Sequence, residues 1–69
     1  MSDHVYKKVE IVGSAKDSIE HAINNALAEA SKSISHMEWF EVQETRGHIE
    51  NGQVGHYQVV LKVGFRIEH

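Results

Sequence analysis

The chain has no cysteine and no proline among its 69 residues, and only one tryptophan. Without cysteine there is no disulfide and no thiolate metal site, which fits a reducing compartment. No apolar run approaches the ~20 residues that a membrane helix requires. The opening "MSDHVYKK" lacks the apolar segment of a signal peptide. The expectation is a cytoplasmic protein with no membrane role. Clustered positive charge is also missing. The formal charge is -3, and the seven cations are scattered from Lys7 to Arg66. This excludes a phosphate-binding stripe, and with it nucleic acid.

Residues 1–69 are expected to form a single domain, of a size that buries only ~60% of the surface its unfolded chain exposes. Such domains need a staple, and with disulfides excluded the remaining one is self-association. The residues alone say "not a monomer".

Three strand-like segments and one helix account for the chain. "HVYKKVEIVG" alternates, with Val5, Val9 and Ile11 on one face. Ser14 and Asp17 then have the shape of a capping box. Ile19, Ala22, Ile23, Ala26, Leu27, Ala30 and Ile34 form one apolar stripe, predicting an amphipathic helix over Lys16–Ser35. From Met37 the period becomes two. Asn51-Gly52 joins two strands as a type I′ hairpin turn, since both central positions require positive φ. Tyr57, Val59, Leu61, Val63, Phe65 and Ile67 are expected to face the helix. The order is β-α-β-β, an α+β fold.

An unbroken hairpin from Asn51-Gly52 pairs Trp39 with Gly64 and Thr45 with Gln58. Opposed residues share a face. Trp39, Glu41, Gln43 and Thr45 are thus expected outward with Gln58, Val60 and Lys62, while Phe40 and Val42 turn toward the helix. Glu41 and Glu44 fall on opposite faces. Arg46 falls on the helix side by strict alternation, and a bulge at Gly47 is expected to turn it outward. An outward indole offers a stacking surface. A glutamine offers a donor and an acceptor for an amide–imide edge. Together they suit a planar heterocycle such as adenine, pterin or flavin. An oligomer contact at Trp39 is the plainer alternative.

No catalytic residue is assigned. There is no nucleophile–base pair, no poised carboxylate dyad and no glycine-rich phosphate loop. The six histidines, His4, His21, His36, His48, His56 and His69, show neither an HxH pair nor HExxH, so no metal is expected. His48 and His56 come near each other across the hairpin but one residue out of register. His36 is expected at the helix C-terminus, as a dipole contact.

"WFEV" followed by "RGH", and "HYQV" leading into "KVGFRIE", carry a resemblance that extends over nearly all of Val5–Glu68. The chain resembles the dodecins, and through "RGH" and "GFR" their bacterial branch. The resemblance implies a three-stranded antiparallel sheet wrapped around one helix, in a hollow homododecamer. It implies non-catalytic storage, buffering and photoprotection of flavin, held in pairs at two-fold axes between subunits. FMN is the implied ligand, with riboflavin and FAD as further candidates and coenzyme A as a second ligand in some members. By the same resemblance Trp39 stacks on the isoalloxazine, Gln58 bonds its pyrimidine edge, and Arg46 holds the phosphate or ring. Arg66 would contact coenzyme A, and Tyr6, Lys7 and His48 are weaker carry-overs. A structural self-assembly module, or a binder of coenzyme A or another heterocycle with no flavin role, is the alternative.

Overall fold

The computed structural model describes residues 3–68. Its elements are β1 (Tyr6–Ala15), α1 (Ile19–Ala30), β2 (Met37–Glu50) and β3 (Gln53–Arg66). The three strands form one antiparallel sheet in the order β1-β3-β2. β3 is central because it alone has apolar residues enough to be covered: Val59, Leu61 and Val63 are fully buried. Each such side chain contributes roughly 1.5–3 kcal/mol on burial.

The helix is shorter than its apolar stripe suggested. Its N-cap is Ser18, whose hydroxyl accepts from the His21 backbone N–H at 3.0 Å. Ser14 is still in β1, paired with Gln58, so the Ser14–Asp17 capping box does not form. Pairing along β3 outcompetes an earlier helix start. At the other end the helix stops at Ala30, and His36 lies beyond it with φ 64°, its carbonyl accepting from the Arg66 N–H. It is therefore no dipole contact.

Helix α1 packs chiefly on β1 and β3 through Ala22, Ala26 and Ala30. The approach is close because Gly13 faces it. A Cβ there would lie 2.0 Å from the Ala22 carbonyl oxygen and 2.8 Å from the Ala26 Cβ. Strand β2 is left largely uncovered on the same side, with Phe40 and Val42 each 45% exposed. The hairpin tip leaves Ile49 and Val54 still more open. Asn51 and Gly52 make the turn with φ 52° and 75°, as a type I′ turn requires. Among the described residues no helix is long and apolar enough to cross a membrane.

Candidate functional site

Three bulges decide which side chains share the outer face of the sheet. Glu38 and Gln43 are extra residues in β2, and Gly55 is an extra residue in β3. The shifts at Gly55 and Gln43 are of opposite sense and cancel, so Trp39 does pair with Gly64 as alternation predicts. Between them the pairing is moved by one. Thr45 pairs with Val59 on the helix side, not with Gln58. Glu44 pairs with Val60 and joins Glu41 on the outer face, correcting the parity argument that separated them. Arg46 pairs with Gln58 and faces outward. The outward turn is as expected, but the bulge responsible is Gln43 and not Gly47.

The outer face carries two clusters. At one end the Trp39 indole lies across Gly64, where a Cβ would be 2.3 Å from its Cζ2. Tyr6 meets the indole edge-to-face at 5.4 Å between centroids. Trp39 keeps 38% of its surface exposed. Its Nε1–H donates to Glu41 Oε2 at 2.9 Å, and Lys8 Nζ donates to both oxygens of Glu41 at 3.1 and 3.2 Å. The indole N–H, and then the lysine, hold the Glu41 carboxyl below the usual carboxylate range. Arg66 stands at the same end, tied to Glu68 and, at 3.8 Å, to Glu38.

At the other end Arg46 Nε donates to Gln58 Oε1 at 2.9 Å, with Glu44 3.7 Å from Arg46 Nη1. His48 and His56 are direct cross-strand partners, their rings stacked at 5.3 Å and 19°. The Gly55 bulge has removed the one-residue offset expected from the sequence. Among the described residues no group of three or more His, Cys, Asp or Glu side chains is placed to hold a metal ion.

Gly64 and Gln58 are six residues apart along β3, or ~20 Å at ~3.3 Å per residue. A three-ring heterocycle does not span that distance. Trp39 and Gln58 thus face the same way but stand at opposite ends of the face. Of the remaining site residues, Tyr6 and Arg66 join the Trp39 end and His48 the Gln58 end. Lys7 does not join either. It pairs with Phe65 on the helix side, and its neighbour Lys8 is the lysine on the outer face. Glu41 and Lys8 were missed by sequence reasoning, although Glu41, two residues from Trp39 on one strand, is on its face by alternation alone.

The family model that matches the chain is Dodecin, over residues 5–68. A curated dodecin from Thermus thermophilus is 56% identical over 64 residues, covering 93% of each chain. The crystal structure of a tryptophan-to-phenylalanine variant of a T. thermophilus dodecin superposes with a TM-score of 0.93 at 52% identity, covering 97% of this chain and all of the other. The structure of a dodecin from Streptomyces coelicolor gives 0.94 at 48% identity, covering 100% and 99%. The chain belongs to the dodecin family.

Proposed function

We propose that the protein binds flavin without catalysis, FMN foremost, in a homododecamer that stores the cofactor and shields it from light. The observation that carries this reading is the Trp39 indole laid across Gly64 with its outer side open, on the same sheet face as Gln58 and Arg46. An indole so placed is a stacking platform for an isoalloxazine ring. Gln58 still fits a pyrimidine edge. Arg46 uses one lone pair of its Oε1, leaving a second lone pair and the amide donors. Arg46 supplies a cation suited to a phosphate or an electron-rich ring.

The ~20 Å between the two clusters supports a site in which a ring stacked on Trp39 of one chain is read by Gln58 of another. A site completed between subunits is what the family resemblance implies. Self-association is independently supported by Phe40, Val42, Ile49 and Val54, exposed together on the helix side of β2 and the hairpin tip. Stacked on an indole, a bound flavin loses its excited state by electron transfer from the ring, and this is the protection offered.

The test is a titration of FMN with purified protein, following flavin emission. Strong quenching that saturates near one flavin per chain is expected, and Trp39→Ala is expected to abolish it while leaving the assembly intact. Unchanged emission overturns the reading. Disassembly of Trp39→Ala would make the tryptophan an assembly contact.

A further inference from the structure

We propose that Glu41 is a positioning residue that tunes Trp39 as an electron donor, with Lys8 acting against it. The inference rests on the flavin reading and adds to it two residues that stacking alone does not require. Trp39 and Glu41 are two apart on one face of β2, so the strand itself brings the carboxylate alongside the indole. The contact is direct, Nε1–H to Oε2 at 2.9 Å.

The chemistry follows from where charge develops. One electron leaves the indole for a photoexcited flavin, and the same electron returns; no bond is made or broken. While the electron is away the ring is a cation, and its N–H is the most polarised bond it presents. A carboxylate accepting from that N–H is negative before the electron moves. It therefore favours the oxidised ring over the neutral one. Lys8 opposes this, because its ammonium lies against both carboxylate oxygens. Lys62, the cross-strand partner of Glu41, opposes it from β3. The depressed pKa of Glu41, with the Trp39 N–H as its first cause, is the same coupling seen from the carboxylate side. A flat ring laid over the indole would exclude water and strengthen each of these interactions.

Two substitutions push in opposite directions. Glu41→Gln keeps an acceptor for the indole N–H and removes the charge. Lys8→Met keeps the charge and removes its nearest counterion. Voltammetry on the flavin-free protein reads the chain's one tryptophan directly, with Trp39→Phe as the blank for tyrosine oxidation. The expected order of oxidation potential is Lys8→Met lowest, wild type next, Glu41→Gln highest. With flavin at saturation, so that affinity does not enter, Glu41→Gln is expected to lengthen the excited-state lifetime severalfold and Lys8→Met to shorten it.

A purely orienting role for Glu41 would leave Glu41→Gln at the wild-type potential. Equal potentials, or the reverse order, overturn the inference even if the wild type quenches flavin strongly. No quenching by the wild type overturns the flavin reading instead, and the donor role with it.

Discussion

Gly64 is the residue on which the Trp39 platform depends. Its missing side chain is where the indole lies, with Cζ2, Cε2 and Cη2 all within 2.4 Å of a would-be Cβ. A methyl group there meets only a side chain that can rotate, so the fold is expected to survive Gly64→Ala. The ring is not expected to stay. FMN affinity, read from the quenching titration, should fall by roughly 2- to 12-fold, the loss of one well-made stacking contact, while the far-UV spectrum is unchanged. Affinity at the wild-type level would show that a flavin does not use the ring in this orientation. The pairing of Trp39 with Gly64 was legible from alternation and an Asn-Gly turn. It came out right because two bulges cancel before the strand reaches Trp39. Arg46 lies between them and was harder to read. A bulge is a local backbone choice that residue types scarcely encode, and Gln43 carries no mark of one. Gly47 looked the better site and is regularly paired.

Element boundaries were less legible than element types. Both Ser14 and Ser18 can cap a helix, and only the pairing of Ser14 with Gln58 decides between them. Long-range strand pairing is invisible to a local pattern. The close packing of α1 on β1 had a sequence signature, since Ala22, Ala26 and Ala30 are small and evenly spaced. Its partner Gly13 carried no such signature, yet it is the contact point. Gly13→Ala would drive a Cβ into backbone atoms of the helix, which cannot rotate away. A loss of about 1–3 kcal/mol is expected, as for overpacked cores. Chemical denaturation at matched protein concentration checks it, because the stability of an assembled chain depends on concentration. A change within experimental error would mean that the helix rides further from the sheet than described.

For the whole molecule, the separation of the two outer clusters has a testable outcome. If Trp39 and Gln58 of different chains complete each site, two defective chains can repair one another. Trp39→Ala and Gln58→Ala chains are each expected to lose quenching alone. Co-expressed in equal amounts, they should regain roughly a quarter of the wild-type capacity, the chance that an intact tryptophan end meets an intact glutamine end across a two-fold contact. No recovery in mixed assemblies would mean that both residues act within one chain. The bulges add something further at this scale. Glu38, Gln43 and Gly55 are slack in the strands. A residue lost from the hairpin can be absorbed by straightening the nearest bulge, and only the side chains between the loss and that bulge turn over. Trp39, on the far side of the Gln43 irregularity from the turn, is thereby insulated from a single residue lost from β2 between that irregularity and the turn.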